Sequence, residues 1–244
     1  MTTLKVEKLD LFYGDAQALD GVSLEVEQGH VVAIVGANGA GKSTALRLMS
    51  RIIYPTSGRV RVRGRVGALL EVGSGVHPDL SGRENVWLYG SIIGIPRAEI
   101  RRRFDDIVEF AELSAAIDRQ AKFYSSGMQL RLGFAIATFL EPQTLLVDES
   151  LATADLNFQM KCIDRLGTLV RQGTTLLFVS HEISAVEALC TRGLLLEKGR
   201  LVEDADIRSV LATYRSRLSE QRQGPSVGSL RADGLRIAHA ACLD

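Results

Sequence analysis

The chain has 244 residues, enough for one large α/β domain or two small ones. Apolar residues make up 46% and charged residues 24%, the proportions of a soluble protein with a real core. The formal net charge is zero, so a generic electrostatic attraction to nucleic acid or anionic lipid is not indicated. The first residues, Met1 to Lys8, are mixed in charge and lack the apolar core of a signal peptide. Val22, Leu24 and Val26 alternate with polar residues, which predicts a half-buried strand. Val31 to Val35 is an apolar run and predicts a buried strand. Gly36-Ala37-Asn38-Gly39-Ala40-Gly41-Lys42-Ser43-Thr44 follows, and Ala45 to Met49 continues as an amphipathic helix.

Strand, glycine-rich loop and helix with G-x-x-x-x-G-K-S spacing make a P-loop. Gly36, Gly39 and Gly41 let backbone N–H groups turn inward around phosphate oxygens. The helix N-terminus adds partial positive charge. Lys42 reaches the β- and γ-phosphates, and the Ser43 hydroxyl is placed to ligate Mg²⁺. A nucleoside triphosphate is the expected ligand.

Arg59, Arg61 and Arg63 alternate with valines and predict the solvated face of an antiparallel strand. From about residue 78 to 138 the character changes to a helical insertion, with helices over Ser81–Gly94 and Ala98–Ala111. Arg101, Arg102 and Arg103 read as a solvated helix face. Tyr124-Ser125-Ser126-Gly127-Met128 precedes a helix to about Leu140, and on its own it reads as a plain N-cap. Thr144 to Asp148 is a buried parallel strand. Asp148 at its end is placed to hold Mg²⁺, and Glu149 to polarise an attacking water. Leu156, Met160, Ile163, Leu166 and Val170 follow at helical spacing. Thr174 to Ser180 is a further buried strand, His181 at its end is placed to sense a γ-phosphate, and Glu182 to Cys190 is a helix. Glu197-Lys198-Gly199 predicts a hairpin turn. Gln221 to Asp244 has little periodicity and is expected to be loosely ordered. Cys162, Cys190 and Cys242 form no metal or disulfide spacing. No apolar run approaches the ~18 residues needed to cross a bilayer, so any membrane role must come through a partner.

Together these motifs, over about residues 4 to 205, resemble the ATPase subunits of ATP-binding-cassette transporters. Tyr124 to Met128 resembles their signature motif, with Arg131 following as in the family, and Ala152 to Asp155 resembles their D-loop. Tyr13 resembles the aromatic that stacks on adenine, and His181 the switch histidine. Glu71 stands where the family has a glutamine; Ser126, Met128 and Ala154 are further departures. The segment Leu69 to Asn85, the Tyr124–Met128 signature and the stretch from Val147 to Cys162 resemble one branch, the bacterial exporters of capsular polysaccharide, O-antigen or teichoic acid. Some members of that branch carry an added C-terminal glycan-binding domain, which the short segment here is not expected to form.

The resemblance implies an α/β P-loop NTPase (RecA-like) core with an antiparallel β-subdomain and the helical insertion, over residues 1–216, and a loosely ordered tail over 217–244. It implies ATP and Mg²⁺ as cofactors, with Glu149 and His181 catalytic and Ser43, Asp148 and Glu71 facing the metal. Nucleotide contacts would come from Tyr13, Gly36, Asn38, Gly39, Gly41, Lys42, Ser43, Thr44 and Asp155, and from Ser125 and Gly127 acting on a partner chain. It further implies a homodimer, peripheral to the cytoplasmic face of the inner membrane, working with a polytopic permease and no nucleic acid. Another transporter branch, or a soluble ATPase of the same family, remains open at this point.

Overall fold

The structure, a computed structural model, describes residues 1–70, 76–148, 154–179 and 183–222. Two sheets and a helical insert share it. Strands β1 (Thr2–Tyr13), β2 (Ala16–Glu27) and β4 (Ser57–Val62) form an antiparallel sheet in the order β2-β1-β4. The outward face is the charged one, as the alternation requires. Lys5 pairs with Glu25 at 2.6 Å, and Glu7 faces Arg59 and Arg61 at 3.8 and 3.9 Å. The inward residues Leu4, Val6, Val22, Leu24 and Val26 are buried.

The larger sheet runs β5 (Val66–Leu69), β6 (Thr144–Val147), β7 (Thr175–Phe178), β3 (Val31–Val35), β8 (Arg192–Glu197), β9 (Arg200–Asp206). Its first five strands are parallel, and β9 returns antiparallel to β8 through the tight turn at Lys198 and Gly199, both at positive φ. Strands β3, β6 and β7 are buried at every residue, because helices or sheet cover both faces. One face carries α1 (Lys42–Met49) and the antiparallel sheet; the other carries α5 (Leu156–Arg171), α6 (Ile183–Leu189) and α7 (Ile207–Arg222). Helix α7 runs past residue 216, so the first part of the stretch read as tail is helical.

Helices α2 (Gly82–Ile92), α3 (Arg97–Ala111) and α4 (Ser126–Phe139) enclose a third core of their own around Val86, Ile100, Ile107, Leu132 and Ile136. The insertion starts with a capping box: Ser81 Oγ accepts from Glu84 N–H, and the Glu84 carboxylate accepts from Ser81 N–H. Of the arginine run on α3, Arg101 and Arg102 are exposed as expected, but Arg103 is half-buried and pairs with Glu141. The α5 pattern also differs from the sequence reading. Its buried residues are Phe158, Cys162, Leu166 and Leu169, whereas Leu156 and Met160 are 77% and 68% exposed.

Asn85 ties the insert to the loop that precedes it. It is fully buried, its Nδ2 donates to the carbonyls of His77, Leu80 and Ser81, and its Oδ1 accepts from His77 N–H at 2.5 Å. A buried amide with four partners leaves several orphaned backbone groups when truncated. Asn85→Ala should therefore lower the unfolding free energy in urea by about 3 kcal/mol. A loss below about 1 kcal/mol would mean that this loop finds other partners.

Candidate functional site

Parallel strands in register bring their C-terminal ends to one edge. Leu69, Val147, Phe178 and Ala33 lie side by side across β5, β6, β7 and β3. The chain therefore leaves β3 into Gly36 at the same edge where β6 ends in Asp148, which is the general place for ligands in such sheets. Asp148 is 5% exposed, and its N–H donates to the Leu69 carbonyl at 2.8 Å. Glu71, Glu149 and His181, the other residues expected at this edge, lie outside the described residues.

The loop from Gly36 to Gly41 is shaped by close backbone approaches. A Cβ on Gly36 would stand 2.3 Å from the Leu196 carbonyl oxygen. Gly41, at φ 99°, precedes the first helical residue, and a Cβ there would meet Leu19 Cδ2 at 2.8 Å and the Ala18 carbonyl at 3.0 Å. The loop thus wedges between β8 and β2. The β8–β9 turn closes the packing: Gly199 N–H donates to the Ala40 carbonyl and Asp20 N–H to the Gly199 carbonyl. Lys42 is buried, and its Nζ donates to the carbonyls of Gly36 at 2.9 Å and Ala37 at 3.0 Å. The ammonium is held across the loop that would surround a phosphate. Ser43 and Thr44, half-buried, continue the first turn of α1, so two hydroxyl side chains lie at the helix N-terminus, the end that carries partial positive charge.

Tyr13 ends β1 and is 53% exposed. Its strand partner Ala16 lies two residues before Ala18, roughly 7 Å along the strand from the P-loop packing point. Ser125 and Gly127 stand elsewhere, at the exposed N-terminus of α4. Ser125 Oγ accepts from Met128 N–H at 3.2 Å, and Ser126 is helical and keeps negative φ, so its replacement of a glycine costs no strain. A Cβ on Gly127 would meet nothing nearer than Ser125 Oγ at 3.9 Å. Among the described residues no packing contact requires a glycine there.

Asp155, expected at the nucleotide, is engaged within the chain. Its Oδ1 caps α5 by accepting from Phe158 N–H at 3.0 Å, and its Oδ2 takes Arg131 Nη2 at 2.7 Å. These bonds hold its carboxyl below the usual carboxylate range. The sequence reading gave no role to Glu112, which accepts from both Lys161 and Arg131, and these two cations likewise lower its pKa. Cys162 and Cys190 are buried; burial raises both thiols, Cys190 to about 12, so neither is a reactive thiolate at neutral pH.

A family model described as ABC transporter matches residues 19–152. The chain belongs to the ABC transporter family. It is 42% identical over 202 residues to the O-antigen export system ATP-binding protein RfbB of Klebsiella pneumoniae, covering 83% of this chain and 82% of that one. It is 42% identical over 226 residues to the protein of the same name from Myxococcus xanthus, covering 89% of this chain and 52% of the relative. To the teichoic acids export ATP-binding protein TagH of Bacillus cereus it is 37% identical over 206 residues, covering 84% and 37%. The chain thus spans most of the Klebsiella relative and a much smaller share of the other two. Among solved structures it shares the fold of an ATP-binding subunit of an ABC transporter, with TM-score 0.79, 22% identity and 90% and 98% of the two chains covered. It also resembles a dimeric ATP-binding cassette in a post-hydrolysis state bound to ADP and Pi, with TM-score 0.73, 25% identity and 84% and 99% covered. As an ABC domain, the chain is an ATP-binding ATPase.

Lys42 supplies the loop's ammonium, and a charge-assisted bond to phosphate contributes about 1.5–3 kcal/mol. Lys42→Ala should weaken ATP binding in calorimetric titration by at least about tenfold while leaving the fold intact. Unchanged affinity would remove Lys42 from the nucleotide site.

Proposed function

We propose that this ABC ATPase drives the export of lipid-linked polysaccharide through a separate membrane permease. The O-antigen and teichoic acid export names of its relatives support the substrate class. No helix among the described residues is long and apolar enough to cross a membrane. A peripheral subunit at the cytoplasmic face, reaching the membrane through its partner, accords with this. Leu88 and Ile92, one turn apart on α2, are 36% and 72% exposed and give the helical insert an apolar contact for such a permease.

The observation that carries the mechanism is Gly127. It lies in a helix, where glycine is unfavourable, and beyond its own helix backbone a Cβ there would meet no described residue nearer than Ser125 Oγ at 3.9 Å. Space left at an exposed helix N-terminus beside Ser125 suits a phosphate group brought by a second copy of the chain. Each ATP would lie between one chain's P-loop and the other's Ser125 and Gly127, the dimer closing on the γ-phosphate and reopening after hydrolysis. Tyr13 would stack on the base, and Gly36 to Thr44 would hold the phosphates. Glu149 would polarise the attacking water and His181 orient it.

For Mg²⁺ the fit is one of donor chemistry. No cluster of three or more His, Cys, Asp or Glu among the described residues could hold a metal. A P-loop site asks less of the protein: one hydroxyl and one carboxylate would hold the ion, together with the phosphate oxygens of the nucleotide and water. Ser43 and the buried Asp148 are such a pair, and Glu71 would add a second carboxylate at the edge. The bound ion would neutralise charge on the phosphates; Lys42 and the loop N–H groups would orient them.

Ser125→Arg places a long cation where the partner's phosphate would sit. It should leave ATP binding by the monomer intact and abolish ATP-driven dimers in sedimentation; persistent dimers would reject the shared site. In cells, deleting the gene should strip the lipid-linked glycan from the surface and leave it on the cytoplasmic side, with Lys42→Ala reproducing the deletion. Normal surface glycan in the deletion strain, with no second copy of the gene, would reject the export reading.

A further inference from the structure

Three helices meet at one charged knot. Glu112 is the C-cap of α3, Arg131 sits in the second turn of α4, and Asp155 and Lys161 belong to the start of α5. Arg131 sends one arm of its guanidinium to Glu112 and the other to Asp155, and Lys161 also donates to Glu112. The guanidinium lies over the buried Phe158 ring, 5.0 Å from its centroid. Beneath the knot, the same three helices are joined by Phe110, Phe134 and Phe158, whose ring centroids are 5.5 to 6.1 Å apart.

Glu112 holds left-handed backbone, φ 58° and ψ 37°, at a helix C-terminus, where glycine fits without steric cost. Its side chain is half exposed, and exposed ion pairs add little to stability. Backbone and side chain therefore both give fold stability little use for a glutamate. What the carboxylate does is electrostatic and directional. It is the counter-ion shared by Arg131 and Lys161, two cations that converge on it and would repel each other without it. With it in place, the planar fork of Arg131 is fixed toward Asp155.

We propose that Glu112 is a positioning residue for ATP hydrolysis, holding the Ser125-bearing helix α4 and the Asp155-capped helix α5 in one fixed relation through Arg131 and Lys161. One end of this tie is Ser125, about 9 Å up the helix axis from Arg131. The other is the N-cap of α5, which follows the strand carrying Asp148. A closure felt at Ser125 is passed in this way to Asp155 at the N-cap of α5, and Glu112 sets the direction in which it arrives. The inference rests on the shared-site dimer proposed above.

Glu112→Gly removes the carboxylate and relieves the backbone. The expected result is an unchanged or raised melting temperature, ATP affinity within about twofold of wild type, and kcat at saturating ATP lowered about tenfold. Glu112→Gln, which keeps the shape and lacks the charge, should show the same loss of kcat at unchanged ATP affinity. A wild-type kcat in both variants would overturn the proposal, because a plain helix cap predicts that result. Ser125→Arg, run in parallel, separates the two readings. If it still dimerises with ATP, the shared site fails; if it does not dimerise while the Glu112 variants turn over normally, only the tie fails.

Discussion

The rest of the molecule is arranged around a loop that has no room for side chains at two of its corners. Gly36 lies against the Leu196 carbonyl and Gly41 against Leu19 and Ala18, so the P-loop is clamped between β8 of the large sheet and β2 of the small one. A backbone held from both sides presents its N–H groups in a fixed direction before any ligand arrives, and preorganised donors spend little on reorganisation when charge appears. The antiparallel sheet thereby helps to shape the loop. Its Ala18 and Leu19 form one wall, and Tyr13 stands a short way along the adjoining strand.

The helical insert is built differently. It has its own core, and it joins the large sheet through the loop stapled by Asn85 and through the aromatic contacts of α3 and α4 with Phe158 on α5. Helix α4 belongs to both sides, with Leu132 and Ile136 in the insert's core and Phe134 and Ala137 in the core under the large sheet. Motion of the insert relative to the large sheet would be felt at these contacts. The charged knot at Glu112 lies on one of them.

Much of this was legible in the residues. The buried strands β3, β6 and β7 stood out as continuous apolar runs, because strands covered on both faces need apolar side chains at every position. The hairpin at Lys198 and Gly199 and the capped start of α4 at Ser125 are local chemistry of turns and helix ends. The covered face of α5 was not legible in the same way. That helix carries apolar residues on two sides, and spacing alone favoured the stripe beginning at Leu156 and Met160. Only the neighbours α3 and α4, with Phe110 and Phe134, decide that Phe158 and Cys162 are inside. Arg103 is a similar case: within an arginine run nothing marks the one that turns toward Glu141.

The sequence by itself determined the glycine-bearing turn from β3 into α1, since its conformation is set locally by consecutive residues with glycine at positive φ. It also determined the sheet that carries the loop, through patterns with a period. What only the tertiary structure decided is which distant charges meet. Glu112, Arg131, Asp155 and Lys161 come from three helices and share no spacing rule. Their contact is a product of how α3, α4 and α5 pack around a cluster of phenylalanines, and charged surface residues carry no periodicity from which packing of that kind can be read.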